Sequence, residues 1–165
     1  MNQQRIDRLL EARSLEAVAA DDAEVATIWA AALREWSDAS VPGLSVAGAF
    51  IHVYQAAFRA ATAVLRGAGY RPRGAVGGHH HVTFFALGAL GDEELERAAD
   101  AMQGLRGGRH IAMYGDEEEL EPEDLENARR QVARLLQQVH RWLKTSRPAL
   151  ADRLAAPSTP HDSQC

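Results

Sequence analysis

Pro122-Glu-Asp-Leu-Glu-Asn-Ala-Arg-Arg-Gln-Val-Ala-Arg-Leu-Leu-Gln-Gln-Val-His-Arg-Trp-Leu143 decides the fold. Its apolar positions are Leu125, Ala128, Val132, Leu135, Leu136, Val139, Trp142 and Leu143, in alternating steps of three and four. That spacing places them on one stripe of a helix, with charge on the other side. Pro122 suits the first turn, where a missing N–H costs no hydrogen bond. His140 and Arg141 fall on the polar side, where they need no special role.

Upstream, the same reading finds more helices. Ile6, Leu9, Leu10 and Leu15 predict a short first helix from about Gln4 to Val18. Val25, Ile28, Trp29, Ala32, Leu33 and Trp36 predict a second, capped by Asp21 or Asp22 and ended at Val41-Pro42-Gly43. A third, from about Ser45 to Arg66, carries apolar residues nearly all round. Such a helix is central in a bundle or sits at a subunit interface. Glycines between Gly67 and Gly78 mark a loop. His79 to Leu90 reads as a short helix, with a strand as the minority reading because of its β-branched and aromatic content. Leu95, Ala98, Ala99, Met102 and Leu105 are the stripe of a helix from about Glu93 to Met113, and an acidic linker from Gly115 to Glu121 follows it.

The expectation is an all-α protein: an antiparallel up-and-down bundle of about five helices. Residues 1–147 form a single domain, and residues 148–165, rich in Pro and Ser, form a flexible tail. At 165 residues the chain is long enough for one proper core. Its 18 basic and 23 acidic residues give a net charge of −5, which argues against a general nucleic-acid coat protein but leaves room for a local basic patch. The single cysteine, Cys165, excludes an intrachain disulfide and a cysteine-based metal site. No apolar run is long enough for a membrane span, and the N-terminus leads into a charged amphipathic stretch. A cytoplasmic protein without cofactor or metal is expected.

The chemistry sits in Leu105-Arg-Gly-Gly-Arg-His-Ile-Ala-Met-Tyr-Gly-Asp116. Continuing the stripe beyond Leu105 brings Arg109 inward, where a guanidinium needs a carboxylate, a phosphate or water. Arg106, His110 and Tyr114, at i, i+4 and i+8, line a strip beside it. Two readings stand. One is an anion or phosphate site of two arginines, a histidine and a phenol. The other is a structural arginine paired with an interior acid beside a core-edge tyrosine, the commoner arrangement. The consecutive His79, His80 and His81 point three ways on a helix and cannot all bind one metal, so docking or capping is the simpler role. A small-ligand sensor built on this loop is a third, weaker reading. His52 reads as a satisfied interior histidine rather than a ligand. The acidic run Asp116 to Glu121 suits a solvated surface next to a helix N-terminus.

Arg109-His-Ile-Ala-Met-Tyr114, followed by an acidic linker, a proline and a long amphipathic helix, resembles the signature region of HEPN domains. Gly69-Tyr70-Arg71-Pro72 through Gly78-His79-His80 resembles one bacterial branch of that family, and Tyr54-Gln-Ala-Ala-Phe-Arg-Ala-Ala-Thr-Ala-Val-Leu65 fits it too. The resemblance spans roughly Ser45 to Lys144. It implies a bundle of four or five helices that often dimerises around the signature helix. It also implies a metal-independent endoribonuclease of a toxin–antitoxin or defence module, with a cognate antitoxin or nucleotidyltransferase as partner. In that family an arginine stabilises phosphorane charge, and a histidine several residues later moves the proton. Arg109 matches the arginine and His110 the polar position after it. Tyr114 stands in place of the histidine, and a phenol with pKa near ~10 is a poor base at neutral pH. The resemblance therefore implies an RNA- or nucleotide-phosphate-binding protein with weak or absent cleavage. Arg109, His110 and Tyr114 are its catalytic candidates, and Arg106, Arg109, His79 and His80 its phosphate-binding ones. The alternative is a non-catalytic interaction or regulatory module in which Arg109 is structural.

Overall fold

A computed structural model describes residues 2–73, 79–114 and 120–158 of the chain. Six α-helices are found there: α1 (Gln3–Glu11), α2 (Asp22–Asp38), α3 (Val46–Gly67), α4 (His79–Leu90), α5 (Glu93–Tyr114) and α6 (Pro122–Ser146). The stripe of α6 is buried as its spacing predicts, from Leu125 through Leu143. Asp21 caps α2 by accepting from the Glu24 N–H, and Ser45 caps α3 by accepting from the Gly48 N–H.

The apolar surround of α3 marks the centre of the bundle. This helix packs against α2, α4, α5 and α6. Ala49, Ala56, Ala57, Ala60, Ala61 and Ala63 are all buried along it. Small side chains on several faces let several helices approach one axis, because interaxial distance follows side-chain size at the contact. Among the described residues, no helix is long and apolar enough to cross a membrane.

Two expectations are corrected. The first helix ends at Glu11 rather than near Val18. Arg13 has φ +54, and Leu15–Ala17 forms a short strand, β1. It pairs antiparallel with β2 (Tyr70–Pro72), Glu16 opposite Arg71. Arg71 and Arg73 both bind the Glu16 carboxylate and hold its pKa below the usual carboxylate range. Gly69, at φ +83, makes the left-handed turn from α3 into β2, a conformation in which a Cβ would be strained.

The second correction concerns the segment from Pro148, expected as a frayed tail. Pro148–Arg153 is a 3₁₀ helix with Leu150 fully buried, and Leu154 is buried after it. The Trp29 and Trp36 indoles donate to the carbonyls of Ala155 and Ser158 at 2.9 and 3.1 Å. His140 stacks on Trp29 with ring centroids 5.8 Å apart, and its Nε2 lies 3.2 Å from the Leu154 carbonyl. This histidine, given no role by the sequence, anchors the segment. The part of the expected tail from residue 159 onward lies outside the described residues, as do residues 115–119 of the acidic linker.

Another unforeseen anchor is Arg66, 6 % exposed. It donates to both Glu24 carboxylate oxygens at 2.6 and 3.2 Å, and to the carbonyls of Val18, Ala19 and Tyr70 at 2.7, 3.1 and 3.3 Å. One guanidinium thus ties α3 to the start of α2, to the chain just past β1 and to β2. The Arg66 bonds depress the Glu24 pKa. In sequence, Arg66 reads only as the last residue of its helix.

Candidate functional site

The buried stripe of α5 runs through Leu95, Ala99, Met102 and Leu105, and continues to Arg109. The residue is half-buried, as the stripe predicts. Its guanidinium carbon lies 5.4 Å from the centre of the Tyr54 ring of α3. An aromatic face attracts a guanidinium by roughly 0.5–2 kcal/mol, but it accepts no strong hydrogen bond. The Arg109 Nε is buried without a hydrogen-bond partner among the described residues. Among the described residues, no carboxylate forms an ion pair with this side chain. The interior acid required by the structural reading is therefore not found there.

Tyr54 is itself fully buried and packs edge-on to Phe84 of α4, with centroids 5.9 Å apart. His80, at the first turn of α4, lies 5.6 Å from Tyr54 and 4.0 Å from Phe58. Tyr54 is thus a shared neighbour of Arg109 and His80, which are 29 positions apart in the chain. His110 takes a different position. It is exposed, about 100° round α5 from Arg109. His81 turns towards Gln103, its Nδ1 3.1 Å from the amide oxygen. His80 and His81 therefore face different neighbours and do not meet at one ligand position. The side chains of His79, Arg106 and Tyr114 lie outside the described residues.

Gly108 explains how α5 reaches α3. A Cβ built on it would stand 2.6 Å from the tip of the buried Phe50 ring. Only a hydrogen fits, and this close approach sets Arg109, the next residue, over Tyr54. Gly104 and Gly107 have nothing within 4 Å of a built Cβ, so close packing does not account for them. A cleft of about 480 Å³ opens beside this contact, with Phe50, Gly104, Gly108, Ile111, Leu120 and Asp124 in its wall. Arg109 follows Gly108 in the chain and is not in the wall of that cleft.

The arrangement offers a permanently charged planar donor on an aromatic platform, with an imidazole on the same platform. It suits an anion with several oxygens, since guanidinium presents five N–H donors in a fixed fork. A family model described as HEPN domain matches residues 44–142, well over half of the chain. That span begins just before α3 and ends within α6, so it contains Tyr54, His80 and Arg109. No curated protein and no solved structure matches.

Proposed function

The chain belongs to the HEPN domain family, and from that premise we propose that it is an RNA- or nucleotide-phosphate-binding protein with weak or absent metal-independent endoribonuclease activity. It acts as a homodimer in a toxin–antitoxin or defence module, beside a cognate antitoxin or nucleotidyltransferase. The observation that carries the binding role is Arg109, whose Nε is buried without a partner among the described residues while its guanidinium rests on Tyr54. A phosphate oxygen supplies the acceptor that Tyr54 cannot. Affinity is local rather than long-range, because a chain of net charge −5 does not attract polyanions by its overall field.

In this reading Arg109 binds a phosphate and, where cleavage occurs, stabilises the charge that grows on it. His80 is better placed than His110 to share the bound phosphate with Arg109, since both border Tyr54. A charge-assisted hydrogen bond contributes about 1.5–3 kcal/mol, so loss of Arg109 weakens binding on the order of 10- to 100-fold.

The test is incubation with a mixed-sequence single-stranded RNA, without metal. Wild type runs beside Arg109→Ala, His80→Ala and His110→Ala, with binding and cleavage read together and folding followed by circular dichroism. Binding lost on Arg109→Ala in a folded protein supports phosphate recognition. Cleavage lost on His80→Ala and kept on His110→Ala assigns the proton-transfer role to His80. No binding by wild type sinks the nucleic-acid reading. Unfolding of Arg109→Ala instead favours a structural arginine and a role as an interaction module.

A further inference from the structure

On the opposite flank of α3 from α4 lies a second group of chemically capable side chains. Glu35 and Asp38 of α2 and His52 of α3 each present a ligand atom, and the three atoms lie within 4.8 Å of one another. His52 Nδ1 and Glu35 Oε2 are 2.9 Å apart. The other Glu35 oxygen is held by Arg59, whose Nε donates to Oε1 at 3.1 Å. Arg59 thereby fixes the carboxylate and leaves Oε2 turned to His52. Asp38 is exposed and, among the described residues, makes no ion pair.

Two carboxylates in this place are electrostatically unfavourable. Both stand in the last turn of α2, which contains no basic residue. A helix C-terminus carries partial negative charge and favours cations. Arg59 neutralises part of the excess, and Arg129 reaches over from α6 to donate to the Ala39 carbonyl at 2.9 Å. Neither is seated on Asp38.

We propose that Glu35, Asp38 and His52 bind one divalent transition ion of the zinc class, which pins the end of α2 to α3. One imidazole nitrogen with two carboxylate oxygens is a donor set for borderline ions rather than for Mg²⁺, which avoids nitrogen. Zn–N and Zn–O bonds of about 2.0–2.2 Å hold ligand atoms roughly 3.3 Å apart. Small side-chain adjustments from the observed spacing reach that geometry. The ion takes the position of the proton between His52 and Glu35, and water completes its coordination. This site is independent of the phosphate-binding reading of Arg109.

The experiment is calorimetric titration of the full, metal-stripped chain with ZnCl₂, and separately with MgCl₂. Variants are His52→Ala, Asp38→Asn and the combined His79→Ala, His80→Ala and His81→Ala. The expected result is one saturable zinc equivalent, lost in His52→Ala, weakened in Asp38→Asn and kept in the triple variant, with no magnesium binding. Asp38 is exposed, so its variant stays folded even if His52→Ala does not. Absence of saturable zinc binding in the wild type overturns the proposal. So does binding that survives both His52→Ala and Asp38→Asn, or binding lost only in the triple variant.

Discussion

Two neighbouring glycines of α5 should respond to the same substitution with opposite sign. Glycine inside a helix is less favourable than alanine by about 0.8–1.0 kcal/mol, because the unfolded chain loses more freedom on folding. Gly107 has open space around a built Cβ, so Gly107→Ala stabilises by up to about 1 kcal/mol. At Gly108 the same methyl meets Phe50 at 2.6 Å, with two further ring atoms at 3.2 Å. The closest of these is about 1 Å inside the roughly 3.5–4.0 Å optimum for carbon contacts. Phe50 is 2 % exposed, so its ring must shift within packed surroundings or towards the adjoining cleft to admit the methyl. Overpacking of this kind costs about 1–3 kcal/mol, which offsets the propensity gain and leaves Gly108→Ala destabilised by up to about 2 kcal/mol. Urea unfolding of wild type and both variants measures the difference. The reasoning is refuted if Gly108→Ala is as stable as Gly107→Ala. Because Gly108 positions Arg109, a folded Gly108→Ala should also bind RNA more weakly than wild type.

Replacement of Arg66 by Met removes a buried guanidinium with five hydrogen bonds and should cost about 3 kcal/mol in chemical denaturation. The same variant tests a pH dependence. Glu24 has a folded pKa depressed below its ordinary 4.5, so its contribution is present above that value and is lost as pH falls through the folded pKa. Wild type should therefore lose stability on acidification more steeply than Arg66→Met below about pH 4.5, and equal acid slopes would exclude the mechanism. Leu150→Ala should cost about 2–5 kcal/mol, since the side chain is fully buried. A cost below about 0.5 kcal/mol, the range of ordinary surface substitutions, would return the segment to the status of a tail.

The helices were legible because their signals are local. Caps and periodicity place the start of α2 at Asp21 and Asp22, and that of α3 at Ser45. Pro122 marks α6 in the same way. The same local logic failed at Leu15. Leu15 reads as the last apolar residue of the first helix, yet its register partner across the two strands is Pro72, 57 positions away. Pairing over that distance leaves no periodic trace. Composition misled at Pro148: proline and serine suggested a loose end, while two leucines and the indoles of Trp29 and Trp36 hold the segment down. At the candidate site, the stripe of α5 was enough to turn Arg109 inward. It could not name Tyr54, because a search for a partner to a cation looks first for acids. His80 entered only through the family resemblance, since adjacency in sequence pointed to His110 as the companion of Arg109.

Arg66 and Arg109 together sharpen the case for a ligand. Both are arginines on the inner side of a helix. At Arg66 the fold supplies a carboxylate and three carbonyls, so every direction of the fork meets an acceptor. At Arg109 the described residues supply an aromatic face and leave Nε buried without an acceptor. An unsatisfied buried donor costs about 1–3 kcal/mol, more when charged. A methionine or leucine at position 109 would continue the stripe of Leu105 and Met102 without that cost. A purely structural role would therefore be better served by an apolar residue, as buried ion pairs often are. The unfavourable residue makes physical sense if the missing acceptor arrives from outside, and an oxyanion is the group whose geometry the fork fits. The same logic predicts that inorganic phosphate or a mononucleotide should raise the melting temperature of wild type and leave Arg109→Met unmoved, even though Arg109→Met is the more stable of the two without ligand.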